Sequence, residues 1–202
     1  LLKKLVCSDG SVLRADAPGV PTLDMLCVDP TREPRPLKIW NRNGERALLG
    51  VFNAHRAAAS AIEGDFGAAD IPGLGSSELA CYAHQAGTLE QLTPSARRRF
   101  TLGVRGFELF TLAPIRAGFA AIGLADKLNS GAAIASEVWS GSTRCRLCLK
   151  DGGVFLAFAE RAPLRVEVAG QPHTFDYDER ARQLRVELAP REFFHRGDVL
   201  AV

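Results

Sequence analysis

From Leu37 onward, short strand-patterned runs are cut by glycine and proline so often that no long helix has room to form, and this limits the fold more than any other feature. The runs are the pair inside LKIWNRNGERALLGVFNAHR (37–56), then ELACYAHQ (78–85), RRFTLGVRGFELFTLAPI (98–115), FAAIGL (119–124), TRCRLCLK (143–150), GGVFLAFAE (152–160), PLRVEVAG (163–170), HTFDYDE (173–179) and QLRVELA (183–189). Many short strands with turn residues between them predict an all-β chain folded as an antiparallel β-sandwich. The last runs are expected to form a meander that turns at Asp151-Gly152, at Gly170-Gln171-Pro172 and between Glu179 and Arg182. Only ADKLNSGAAI (125–134) reads as irregular or briefly helical.

The first hairpin turns at Asn41-Arg42-Asn43-Gly44, with Leu37, Ile39, Leu49 and Val51 expected to face inward. Trp40, Asn53 and His55 stand where plain core residues would do, which marks this hairpin as the edge of something. Ahead of it, LLKKLVCSDGSVLRA places Leu1, Leu2, Leu5 and Val6 at helical spacing and stops at Asp9-Gly10, predicting one short helix. Residues 16–36 hold Pro18, Pro21, Pro30, Pro34 and Pro36 and read as a connector without regular structure.

With 202 residues, of which 47% are apolar, the chain can build one sizeable core. Net charge is +2 and both signs are interspersed; Arg97-Arg98-Arg99 reads as a solvated strand start, so no nucleic-acid partner is expected. No apolar run nears the ~20 residues of a membrane span, so no membrane partner is expected either. The chain opens on Leu1, which reads as a cut. Five cysteines, an odd number, favour a reduced, cytoplasmic setting. Cys145-Arg146-Leu147-Cys148 is a CxxC inside a strand pattern, where positions three apart face opposite ways, so the two sulfurs should diverge.

Motifs of catalysis are missing: there is no GxSxG, P-loop, HExxH or paired Cys/His set, and His55, His84, His173 and His195 are isolated in the sequence. No cofactor and no metal site is expected. Asp176, Asp178 and Glu179 fall in a turn; Asp24 and Asp29 are the acids framed by prolines, where an Asp usually accepts hydrogen bonds from nearby backbone.

Four blocks, LLKKLVCSDGSVLRADAPGVPTLDMLCVDP, LKIWNRNGERALLGVFNAHRA, ADIPGL and FELFTLAPIRAGFAAIGLADKLNSGAAI, occur in an order and spacing that resemble the C-terminal part of the raffinose synthase and seed imbibition protein group. That group contains relatives of alkaline α-galactosidases in glycoside hydrolase family 36. The resemblance implies an enzyme built on a (β/α)8 barrel that cleaves or transfers α-galactosyl units by a retaining mechanism with two aspartates. Both aspartates lie in barrel segments ahead of the LLKKLV block, so the resemblance implies no catalytic residue in this chain. It further implies that residues 1–36 are the last barrel helix and connector, residues 37–202 a C-terminal β-sandwich domain, and the absent barrel and α-galactoside sugars the partners. Asp24 and Trp40 become the candidate substrate-binding residues, and Trp40 and Asn53 are expected where sandwich and barrel meet. One departure matters: relatives carry Pro-Thr-Arg-Asp-Cys-Leu-Phe where this chain has Pro21-Thr22-Leu23-Asp24-Met25-Leu26-Cys27, and Leu23 cannot supply the bidentate donor of an arginine. The alternative is a free-standing, non-catalytic β-sandwich that binds carbohydrate or protein.

Overall fold

The computed structural model of the chain describes residues 2–57, 60–142, 144–189 and 199–201. Among them every paired strand is antiparallel. The chain forms two compact units, Asp16–Pro114 and Leu1–Ala15 with Ile115–Val202. The all-β reading holds. Residues 16–36 group with the first hairpin, to which they are tied: Asp16 N–H donates to Arg42 C=O at 2.8 Å and Thr22 N–H to Lys38 C=O at 3.2 Å.

The 16–114 unit contains β1 (Val20–Pro21), β2 (Leu37–Asn43), β3 (Arg46–Phe52), β4 (Ile62–Gly67), β5 (Leu79–Ala83), β6 (Thr88–Leu92), β7 (Arg97–Leu102) and β8 (Phe107–Pro114). Six strands make one sheet in the order β1-β2-β3-β8-β5-β6, and β4 and β7 pair separately. Alternate residues of β3, β8 and β5 (Ala47, Leu49, Val51, Phe110, Leu112, Leu79, Cys81) meet Ile62, Phe66 and Leu102 from the smaller pair in one core. Phe66 and Phe110 centre it, with ring centroids 4.8 Å apart. The run at 98–115 is two strands instead of one. Arg105 adopts a left-handed φ of 56° and Gly106 N–H bonds back to Gly103 C=O, so Gly103-Val104-Arg105-Gly106 turns the chain.

The first hairpin forms, but its register corrects the expected facing. Asn43 pairs with Arg46, leaving Gly44-Glu45 as a two-residue loop, with Gly44 at φ 60°. Trp40 then lies opposite Leu49, and Lys38 opposite Val51, on the core side, while Leu37 and Ile39 take the other face. Across a two-residue loop the even-numbered positions of β2 pair with the odd-numbered positions of β3, so Leu37 and Ile39 cannot share a face with Leu49 and Val51.

The second unit is a two-sheet sandwich. Its strands are β9 (Phe119–Leu124), β10 (Ile134–Ser140), β11 (Arg144–Leu149), β12 (Gly153–Ala159), β13 (Val166–Val168), β14 (Gln171–His173), β15 (Asp176–Asp178), β16 (Gln183–Leu188) and β17 (Val199–Ala201). One sheet runs β10-β11-β17-β13-β14 and the other β15-β16-β12-β9. Leu147 and Leu149 pack between them against Phe155, Leu184 and Val186. The expected meander is therefore only partly present. Hairpins join β13 to β14 and β15 to β16, but Asp151-Gly152 carries the chain from one sheet to the other instead of pairing β11 with β12. In β11, Cys145 is buried in the core and Cys148 points to the opposite face, as its position in a strand requires.

The expected N-terminal helix is a single 3-10 turn at Leu2–Lys4; Leu1 lies outside the described residues. Gly10 at φ 81° and the Asp9 carboxylate, which accepts from the Ser11 N–H, reverse the chain before a second turn can add hydrogen bonds. A narrow loop results, with Leu13 N–H on Leu5 C=O and a bridge between Val6 and Val12. It inserts Cys7 and Leu13 into the sandwich core, while Leu2 and Val12 stay exposed. The 125–133 segment grips it. Lys127 Nζ donates to Val6 C=O at 2.8 Å, Asn129 Nδ2 to Leu13 C=O at 3.0 Å and Leu128 N–H to Lys4 C=O at 2.9 Å.

Candidate functional site

Asp24 and Trp40 are brought to the same strip of β2, and both have structural partners there. Asp24 lies in the middle of a one-turn 3-10 helix at Leu23–Met25 and sits 2.5 Å from Lys38 Nζ. Lys38 is only 4% exposed, and its ammonium also donates to Asp65 C=O at 3.1 Å. Burial tends to raise the Asp24 carboxyl, but the hydrogen bond from Lys38 and the Lys38 charge outweigh it and hold the group below its ordinary value. Trp40 packs against the 16–114 core, and the Arg42 guanidinium lies 5.7 Å from its ring centroid. Asn53 is buried, its amide donating to Gly103 C=O at 2.9 Å, so it anchors the turn that separates β7 from β8. Asp29 is the local turn acid that its prolines suggest: Thr31 donates to it through both N–H and Oγ1, and these bonds hold its carboxyl low.

Two carboxylates do converge, Asp65 and Asp70, but Arg97 lies between them at 2.5 and 3.0 Å and Asp70 also accepts the Gly67 N–H. That is an ion-pair clamp across β4 and β7. His55 bonds to Arg32 C=O and His84 to Thr111 Oγ1, while His195 lies outside the described residues. Burial pushes the Cys81 thiol far above its ordinary range, so it is inert. Among the described residues no group of three His, Cys, Asp or Glu is placed to hold a metal ion, and no helix is long and apolar enough to cross a membrane.

A concavity of about 670 Å³ lies in the second unit, at one end of its sandwich. Phe119 at the start of β9 and Trp139 near the end of β10 form an apolar wall; their rings meet edge to face at 6.0 Å. The indole N–H donates to Glu137 at 2.8 Å, which fixes the ring. Facing it, Glu167 on β13 holds two guanidiniums, Arg144 at 3.2 Å on one oxygen and Arg165 at 2.7 Å on the other. Glu160 and Arg161 complete the polar side. The loop carrying Glu160 is tied down, since its N–H donates to Gly118 C=O at 2.7 Å. Sequence reasoning missed Trp139, Arg144, Arg165 and Glu167. Part of their signal was present: Arg165, just ahead of β13, and Glu167 within it flank core residue Val166 at a spacing of two, which in extended chain puts both charges on one face.

The family model for raffinose synthase or seed imbibition protein Sip1 matches residues 1–66 and 58–188. Among curated relatives, the probable galactinol–sucrose galactosyltransferase 6 of Arabidopsis thaliana is 32% identical over 93% of this chain and 29% of its own length. The galactinol–sucrose galactosyltransferase of Oryza sativa subsp. japonica is 29% identical over 89% of this chain and 27% of its length. The stachyose synthase of Pisum sativum is also 29% identical, over 88% of this chain and 24% of its length. The chain thus spans under a third of the length of these relatives.

Proposed function

Because the chain belongs to the raffinose synthase or seed imbibition protein family, we propose that it is the C-terminal β-sheet portion of an enzyme that moves or hydrolyses α-galactosyl units. The observation that carries this reading is the family match across both compact units, combined with coverage of only 29% and 27% of the two galactosyltransferases' lengths. On this reading the reaction retains configuration: one aspartate attacks the anomeric carbon as the leaving oxygen takes a proton from a second carboxyl group, and water or an acceptor sugar then releases the galactosyl unit. Both aspartates belong to a barrel outside these 202 residues. Asp24, with half its side chain exposed, and Trp40 are the residues of this chain proposed to meet substrate or barrel, and Val20, Leu23 and Leu26 form an exposed apolar margin beside them. The reading also sets the protein in the cytoplasm.

Internal support comes from the acids themselves. Retaining cleavage needs two carboxyl groups about 5 Å apart across one sugar ring. Asp24 is neutralised by Lys38, Asp29 by its own turn, and the Asp65 and Asp70 pair by Arg97. The chain alone should therefore release chromophore from an aryl α-galactoside no faster than buffer, and joining it to a family barrel should give turnover. Turnover by the chain alone that disappears in Asp24→Asn would contradict the proposal.

A further inference from the structure

We propose that the cavity between Trp139 and Glu167 binds a neutral oligosaccharide. Three observations carry this. The concavity, about 670 Å³, has the size and shape of a small-molecule site. One wall is apolar and aromatic, with the indole held in place by Glu137, and pyranose rings present a face of C–H groups suited to such a surface. The opposite wall is an array of donors and acceptors already fixed by mutual pairing: Glu167, whose side chain is only 16% exposed, is clamped on both oxygens by Arg144 and Arg165. Each guanidinium carries five N–H donors in a planar fork, and each carboxylate oxygen has more than one lone pair, so groups pinned this way offer bonds to vicinal hydroxyls with little ordering cost.

Charge selects among ligands. Arg144, Arg161 and Arg165 face Glu160 and Glu167, leaving a single net positive charge, and the carboxylates would repel an anion brought against them. A hydroxyl both donates and accepts, so it satisfies both kinds of group. The cavity is lined entirely from residues 117–167, so binding there needs no catalytic aspartate. Preference for α-galactosides over other sugars would rest on the enzyme assignment above; binding of sugar as such does not.

The chain contains two tryptophans, so Trp40→Phe leaves Trp139 as the sole indole reporter. Its emission should change saturably when raffinose or maltotriose is titrated through the millimolar range, and a response to either sugar supports the site. Glu167→Ala in that background should weaken binding about tenfold or more while the thermal melt of the chain stays cooperative. If Trp40→Phe does not fold, calorimetric titration of the unaltered chain, compared with Arg144→Ala, replaces it. Heat or emission flat with both sugars in a chain with a cooperative melt overturns the proposal. So does binding unchanged by Glu167→Ala and Arg144→Ala, or displacement of the sugar by inorganic phosphate, which would mark an anion site. None of these readouts needs turnover, so failure here leaves the enzyme assignment standing, and failure of that assignment leaves a sugar site that can still be measured.

Discussion

Lys38 decides what Asp24 does in the folded chain. An ammonium that is 4% exposed needs an anion and hydrogen-bond acceptors, and Asp24 with Asp65 C=O supplies them. Asp24→Asn should cost about 1 kcal/mol in urea unfolding, modest because the carboxylate is half exposed and screened. The carboxyl is held below its ordinary value, so its stabilisation is complete above the unfolded value near 3.8 and is lost as pH falls through the lower folded value. Acid unfolding should accordingly begin less steeply in Asp24→Asn than in the parent; identical acid limbs would show that the ion pair contributes nothing. Gly123 is the other residue with a sharp expectation. At φ 113° its Cα faces Ser130 C=O, and an added Cβ would lie 2.0 Å from that oxygen. Gly123→Ala should cost about 3 kcal/mol, read from the urea midpoint, by strain and by pushing the 125–133 segment off the N-terminal loop.

Among elements, that loop carries the largest revision. Cys7 and Leu13 complete the core of the second unit. Removing only residues 1–15 strips Cys7 and Leu13 from the core and leaves the buried pair of Lys127 and Asp151, 3.5 Å apart, without the Ser8 and Val6 partners they hold. Such a deletion should abolish the cooperative melt of the second unit. Retention of that melt would show that the loop is dispensable. The two cysteines of β11 should separate likewise: Cys145→Ser should cost about 2 kcal/mol because a buried hydroxyl replaces a thiol, whereas Cys148→Ser should stay within about 1 kcal/mol. Strand positions were legible where apolar and polar residues alternate, as in β11 and β16, and where a short apolar run is bounded by turn signals, as in β9 and β12. They were not legible in β4, β6 and β10, whose residues (IEGDFG, TLEQL, IASEVWS) carry too weak a pattern and gain their strand form from neighbours. The facing of β2 was hidden because apolar residues stand on both of its faces and only the pairing across the loop says which set meets Leu49 and Val51, and the crossover at Asp151-Gly152 because a turn sequence does not say which sheet the next strand joins.

At the scale of the whole chain, two β-rich units with separate cores carry the family's sequence signature, and the blocks AIGL and NSGAAI that mark it meet at Gly123 and Ser130. The candidate cavity was beyond sequence reading because its walls come from positions as far apart as 119, 139 and 167, which only the closed sandwich brings together. On the proposed function, the covalent chemistry belongs to carboxylates outside these 202 residues. Trapping a galactosyl-enzyme with a slow, mechanism-based α-galactoside in the longer protein, followed by peptide mass mapping, tests it directly. The account predicts one labelled aspartate in a peptide outside these 202 residues, and a label on Asp24 or on any other acid of this chain would contradict it.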